Sequence, residues 1–291
     1  MMDTDENIAI IKQLIKEPII EIIKEEHKNK WLYICVCENQ KFLVKTISAS
    51  KKEYFIQRSI FEHNDFFCQF YTLKQCNNKM WLVCEWVEGE TLDSISNQVN
   101  LEMVALIKKF VTELKKLHSS YEIPSEEILI TPEMQKYYGF SDESIAKLNN
   151  CNKTVIHGDL HLQNLVITKD KIVPVDYDDV RYGYAYEDLV YFADIHKSHD
   201  EDLISFLILQ FYFDFNIPND FWEIVYLLAV RKVFGIANAE RFNSTEGINL
   251  ETWIREIDFS HHIIPPWYPV IESKVTVSYT HLRAHETGRN L

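Results

Sequence analysis

At 291 residues, with 46% of them hydrophobic, the chain is long enough to fill one large core or two modest ones. Its formal net charge of −14 argues against nucleic acid and anionic membrane as partners, since both select basic surfaces. No apolar run reaches membrane-spanning length, the acidic start MMDTDENIAI lacks the basic beginning of a signal peptide, and the six cysteines show neither a paired framework nor zinc spacing; a soluble, cytoplasmic protein with reduced thiols is expected.

The first part of the chain reads as a small β-rich unit. Residues 18–23, 31–37 and 41–47 are short apolar or alternating runs, with Glu38-Asn39-Gln40 as the turn between the last two, which predicts an antiparallel meander. On the second of these strands Cys35 and Cys37 share a face. Residues 50–63 carry Phe55, Ile56, Ile60 and Phe61 at helix-face spacing, with Ser48 or Ser50 as the cap. Residues 81–87 form an apolar strand interrupted only by Glu85 and ended by Glu88-Gly89-Glu90. A helical part follows: residues 101–118 place Met103, Leu106, Ile107, Phe110, Val111, Leu114 and Leu117 on one face.

The densest chemistry comes next, in HGDLHLQNLVI at residues 157–167 followed by VDYDD at 175–179. Asp159 and Asn164 lie five positions apart, which suits a tight loop, and Leu165-Val166-Ile167 reads as the strand that carries the chain toward Asp176. In-line phosphoryl transfer needs one group to orient and deprotonate an attacking hydroxyl, and oxygen ligands to hold magnesium against the phosphates. Asp159 can be the first; Asn164 and Asp176 can be the second. Three carboxylates within residues 176–179 repel one another unless a cation compensates, so Asp178 or Asp179 can reach a metal through water, although Asp179 is expected to face solvent or cap the turn before Gly183. His161 suits a phosphate or acceptor contact, or a bond that steadies the loop.

Farther on, Phe211-Tyr212-Phe213-Asp214-Phe215 and Phe221-Trp222-Glu223 mix rings with acids, a surface able to hold an ammonium group, although Phe221, Ile224, Val225 and Leu228 have the spacing of a buried helix face. The pair His261-His262 has no further ligand-type neighbours at metal spacing and reads as packing or surface. The string VSYTHLRAHET at 277–287 can be read back as the codons of a transposon-end adapter used in shotgun DNA libraries, so residues 277–291 are expected to be a non-native tail. Without it the formal charge is −15, because Arg283 and Arg289 outnumber Glu286.

HGDLHLQN followed by VDYDD resembles the aminoglycoside phosphotransferase and choline kinase-like superfamily, a relative of the protein kinases. The resemblance implies an α+β, two-lobed protein-kinase-like fold, with a small antiparallel-sheet N-lobe over residues 1–87 and a mainly helical C-lobe over 88–276. It implies ATP and Mg2+ as cofactors, Asp159 as the catalytic base, Asn164 and Asp176 as metal ligands, and His157 as a structural residue of the loop. Asp188, in Glu187-Asp188-Leu189, resembles the aspartate that pins the catalytic loop, and VCEWVEGETL resembles the hinge between lobes, implying Glu85 and Val87 beside the nucleotide. Lys45 sits where the phosphate-contacting lysine would be, with Glu53 as its expected carboxylate partner and Glu62 as the competitor.

One departure stands out: no glycine precedes Gly89, so the turn at 25–30 cannot cradle phosphates as a glycine-rich loop does; Lys28, Asn29 and Lys30 can supply donors there instead, although a solvated turn is the expected role of each. The implied activity is ATP-dependent transfer of a γ-phosphoryl to a hydroxyl of a small acceptor, on charge alone a cationic metabolite or aminoglycoside-like compound. Two other readings are open. VDYDDVRYG also resembles the bacterial stress-response protein Ser/Thr kinases, and a non-catalytic pseudokinase or coat-type scaffold would share the fold without turnover.

Overall fold

The computed structural model describes residues 4–27, 30–47, 70–76, 79–96, 99–119, 141–177, 179–193 and 203–238. Alternating apolar residues build an antiparallel sheet from β1 (Ile19–His27), β2 (Lys30–Cys37), β3 (Lys41–Ile47), β4 (Phe70–Cys76) and β5 (Lys79–Glu85), in the order β1-β2-β3-β5-β4. The meander predicted at 18–47 is present. The edge strand β4 is an addition to it: in FYTLKQC, Lys74 and Gln75 are both exposed, which weakens the alternation that marks a strand. The helix expected at 50–63, and with it Glu53 and Glu62, lies outside the described residues.

Register assigns the two faces of the sheet different jobs. Tyr33, Cys35, Phe42, Val44, Trp81 and Val83 form one buried face, closed by Ile10, Ile11 and Ile15 at and just beyond helix α1 (Thr4–Leu14). Burial, together with the neighbouring Cys37, pushes the Cys35 thiol up to about 12, and Cys35 and Cys37 form no disulfide, in keeping with inert packing thiols. The opposite face carries Leu43, Lys45, Leu82 and Cys84, which pair across β3 and β5. Leu82 and Cys84 join the core of the second lobe. Lys45 is therefore placed on the side that looks toward the second lobe.

The chain crosses over through Gly89 and the short strand β6 (Glu90–Thr91). A Cβ at Gly89 would stand 2.1 Å from the Ile167 carbonyl oxygen, so only glycine lets the crossover lie this close to the strand beneath it. Helix α2 (Leu101–Ser119) starts at Asn100, whose side chain accepts from Met103 N–H at 2.9 Å, and it buries Met103, Ile107, Phe110, Val111, Leu114 and Leu117 as the periodicity predicts. Each of those buried Leu and Ile side chains contributes roughly 1.5–3 kcal/mol relative to exposure. Helix α3 (Asp142–Asn149) is capped by Ser141. Helices α4 (Leu203–Tyr212) and α5 (Phe221–Asn238) complete the lobe, α4 against α2 and α5 against the 3-10 segment Ala185–Ala193. No helix among the described residues is long and apolar enough to cross a membrane.

Two small antiparallel pairs set the site. β7 (Lys153–Ile156) pairs with β10 (Arg181–Tyr184) so that Ile156 faces Arg181, and β8 (Leu165–Ile167) pairs with β9 (Ile172–Pro174) so that Leu165 faces Pro174. The loop 157–164 and the segment 175–180 are thus the chain that leaves and re-enters these pairs at matched ends, and Val175 N–H ties them by donating to the Asn164 carbonyl at 2.9 Å.

Candidate functional site

The loop that follows β7 is held by its backbone. His157 N–H and Gly158 N–H donate to the two oxygens of Asp188 at 2.9 and 2.8 Å, and Asp188 is completely buried. Gly158 has φ +82°, and a Cβ there would meet Arg181 Nη1 at 2.2 Å and the Asp179 carbonyl oxygen at 2.3 Å, so the glycine is required by conformation and by space. Burial alone would drive the Asp188 carboxyl up; the hydrogen bond and charge of His118, the His157 ring and the Gly158 N–H outweigh it and hold the group below its ordinary value. His118, at the end of α2, completes a buried chain: its Nε2 lies 3.1 Å from Asp188 and its Nδ1 2.8 Å from the Tyr212 hydroxyl.

His157 is a structural residue in this geometry. Its Nε2 lies 3.0 Å from the Val175 carbonyl oxygen, its Nδ1 accepts from Asp159 N–H at 3.4 Å, and its ring packs edge-on against Tyr177. Burial, which outweighs the attraction of Asp188, lowers its pKa from the ordinary 6.5. As pH falls through 6.5 the unfolded chain takes up this proton while the folded one resists, so the stability present above about 6.5 is progressively lost down to the folded value. Denaturant unfolding between about pH 5 and 8 should show the wild type losing more stability on acidification than His157→Gln. Equal slopes for the two would contradict this placement of the ring.

Asp159 and Asn164 meet directly. Asn164 Nδ2 donates to the Asp159 carbonyl at 2.9 Å and toward its Oδ2 at 3.3 Å, which orients the amide with its nitrogen toward the loop. The 3-10 turn Leu162–Asn164 brings them together, as the five-residue spacing suggests. Asp176 follows β9 with φ +64°, a left-handed conformation that aspartate tolerates and that a surrounding structure must enforce. Its Oδ1 lies 2.5 Å from Lys45 Nζ, a link across the two lobes. The Lys45 side chain is 6% exposed, its stem lying in the sheet face and its ammonium reaching the half-exposed aspartate. Glu53 lies outside the described residues, and the carboxylate that Lys45 meets here is Asp176.

Glu85 and Val87 flank Trp86, whose N–H donates to the Lys41 carbonyl at 3.0 Å. Alternation along an extended chain turns the backbone groups of Glu85 and Val87 to the side away from β3. The Glu85 side chain shares the α1 face of the sheet, so any role it has toward a nucleotide falls to its backbone. Asp179 is exposed, and its carbonyl accepts from Arg181 at 3.0 Å; Asp178 lies outside the described residues. Among the described residues no group of three or more His, Cys, Asp or Glu stands where it could hold a metal by itself.

The aromatic stretch is part core and part surface: Phe215 is 53% exposed and Asp214, also exposed, pairs with Lys115 at 2.8 Å. Phe211, Phe221 and Trp222 are buried, their rings packed edge-to-face with neighbours, and Glu223 is bonded to Ser144 and Lys147 at 2.7 and 2.9 Å. The helix-face spacing at Phe221, Ile224, Val225 and Leu228 is borne out, all four being buried. The motifs also gave no sign of Tyr191, which donates its hydroxyl to Asp159 Oδ1 at 2.9 Å from 32 positions away. Arg181, paired with Glu187 and filling the space beside Gly158, was equally silent.

Comparison with known proteins follows the same lines. A model of a phosphotransferase enzyme family matches residues 140–208, which hold the loop, Asn164, Asp176 and Asp188. No curated protein sequence matches the chain. Among solved structures, an amicoumacin kinase in complex with AMP-PNP, Ca2+ and Ami superposes with a TM-score of 0.63 at 13% identity, over 91% of this chain and 96% of that one. The gentamicin complex of APH(2")-IIa gives 0.61 at 16%, over 89% and 98%, and an ethanolamine kinase from Plasmodium vivax gives 0.58 at 12%, over 88% and 89%. The fold is the two-lobed, α+β protein-kinase-like one, and the chain resembles the aminoglycoside phosphotransferases and choline or ethanolamine kinases. Residues 140–208, the part matched by the phosphotransferase family model, are similar to that enzyme family in sequence, and the solved structures share the fold.

Proposed function

We propose that this chain is an ATP-dependent O-phosphotransferase that moves the γ-phosphoryl to a hydroxyl of a small, cationic metabolite or aminoglycoside-like acceptor. The observation that carries the reading is the meeting of Lys45, Asp159, Asn164 and Asp176, brought from separate segments into one connected cluster by the contacts Lys45–Asp176, Asp159–Asn164 and Asn164–Val175. In this reading residues 1–87 form the nucleotide-binding lobe and 88–276 the catalytic and acceptor lobe, with the backbone of Glu85 and Val87 at the adenine and Lys45 at the phosphates. Asp159 orients the acceptor hydroxyl and takes its proton, while Asp188 and His157 keep the loop in shape.

The residues present suit Mg2+. Asn164 and Asp176 offer amide and carboxylate oxygens, hard ligands of the kind magnesium takes, and the lack of an all-protein cluster among the described residues fits an ion that completes its shell with phosphates and water. Held there, magnesium would supply neutralisation of the phosphate charge during transfer. Lys45 and Asp176 compensate each other's charge before any ligand arrives. The net charge of −14 favours a cationic acceptor, and gentamicin in one structural neighbour and ethanolamine in the name of another are compounds of that kind.

The test is MgATP turnover across a panel of aminoglycosides, amino alcohols and neutral sugars, with protein substrates beside them. Transfer to cationic small acceptors supports the proposal. Phosphorylation of proteins alone would favour the stress-response type, and magnesium-independent nucleotide binding without turnover would favour a pseudokinase. Lys45→Met, which keeps the buried stem and deletes the ammonium, should cost roughly 10–100-fold in kcat/KM for ATP, the worth of a charged hydrogen bond of about 1.5–3 kcal/mol. Its melting temperature should hold, because Asp176 is half exposed and can be hydrated in place of the ion pair. Wild-type kcat/KM in this variant would show that β3 does not present the phosphate-binding lysine.

A further inference from the structure

Asp159 meets a partner that no motif announces. Tyr191 stands in the 3-10 segment Ala185–Ala193, three residues beyond Asp188, so the segment that holds the backbone of the loop also brings a phenol to its carboxylate. The two oxygens of Asp159 are treated differently. Oδ1 accepts from the Tyr191 hydroxyl at 2.9 Å, whereas Oδ2 has longer contacts, 3.3 Å from Asn164 Nδ2 and 3.4 Å from His161 Nε2. The His161 ring lies edge-on to Tyr191 with centroids 5.3 Å apart. We propose that Tyr191 is a positioning residue for phosphoryl transfer: its hydroxyl locks the Asp159 carboxylate in one placement and commits Oδ1, so that Oδ2 is the oxygen that receives the acceptor's proton. The inference rests on the reading of Asp159 as the base.

A terminal carboxylate turns through a broad torsional range unless something holds it, and the Asp159 side chain is 27% exposed, with solvent on part of its surface. The shorter hydrogen bond at Oδ1 favours one orientation, while the longer contacts of Oδ2 with Asn164 and His161 are the more readily exchanged for an incoming hydroxyl. Tyr191 stays protonated and is the donor to the carboxylate: burial, then the adjacent Asp159 charge, hold the phenol well above the ordinary tyrosine range. In the transfer step the acceptor O–H proton passes to Oδ2 as the new O–P bond forms. The bond between the γ-phosphorus and its bridging oxygen breaks, ADP leaves with the electron pair, and the Tyr191 proton stays where it is.

Tyr191→Phe keeps the ring, its burial and its contact with His161 and removes only the hydroxyl. With an acceptor from the panel above that supports turnover, kcat should fall about 10–100-fold, the scale of a sub-ångström to 1 Å misplacement of a reacting group, while KM for ATP and the melting temperature stay at wild-type values. A crystal structure of the variant should show the Asp159 carboxylate rotated or split between orientations. Wild-type kcat, or an unmoved carboxylate in that crystal structure, overturns the inference and leaves the phosphotransferase reading standing. A loss confined to KM for the acceptor also overturns it, since Tyr191 would then be a binding contact. Failure of the wild type to transfer to any acceptor is separate: it removes the base assignment, and the inference falls with it.

Discussion

Asp159→Asn should lower turnover by about 10²–10⁴ while MgATP still binds, because a base that acts on the acceptor hydroxyl exerts its effect in the transition state. The substitution is nearly isosteric, and an amide oxygen can still accept from Tyr191 at the Oδ1 position, so the loop should keep its shape. Asp176→Asn should behave differently. Under the proposed function it weakens a metal ligand together with the link to Lys45, so the magnesium dependence of ATP affinity and the turnover should both fall. Titrating ATP with and without magnesium against wild type and both variants, alongside a phosphate-transfer assay, separates the two jobs. Identical binding behaviour of the variants would refute the division.

Asp188→Ala should be the most destabilising single change in the site, at about 3–5 kcal/mol, the scale for breaking a buried charged partnership. The carboxylate accepts from two backbone N–H groups and faces the His118 ring at 3.1 Å, all of it sealed from water. Removing it leaves those buried donors without an acceptor. Turnover should fall with stability, since the N–H groups of His157 and Gly158 fix the stretch that carries Asp159. Asp188→Asn should be intermediate, because its amide can accept one N–H but turns a second donor against the other.

Acid should reveal the same carboxylate. Its folded pKa lies below the ordinary 3.8, so its stabilisation is present above that value and disappears as pH falls through the lower, folded one. The stability gap between wild type and Asp188→Asn, measured by denaturant titration, should therefore persist from neutral pH to about 4 and close only below it. A gap that closes near pH 6 would assign the effect to a histidine instead.

The sequence by itself determined the elements whose signal is local. Strand alternation in β2 and β3, the apolar face of α2 and the spacing within HGDLHLQN all act over a few residues, where backbone period alone decides which side chains share a face. That was enough to pair Asp159 with Asn164; the task of Asp188 was legible only through the family resemblance, and in the structure its carboxylate accepts from the His157 and Gly158 N–H groups. Only the tertiary structure decided what depends on segments far apart in the chain. The meeting of Lys45 with Asp176 is set by how one sheet face lies over the second lobe, and the left-handed backbone at Asp176 is imposed by its surroundings. Tyr191 and Arg181 read as ordinary helix or strand residues; they acquire partners because β7, β10 and the 3-10 segment pack where their apolar faces require. Packing likewise decided which rings of the run 211–223 fill the core: Phe211, Phe221 and Trp222 are buried, whereas Phe215 stays on the surface.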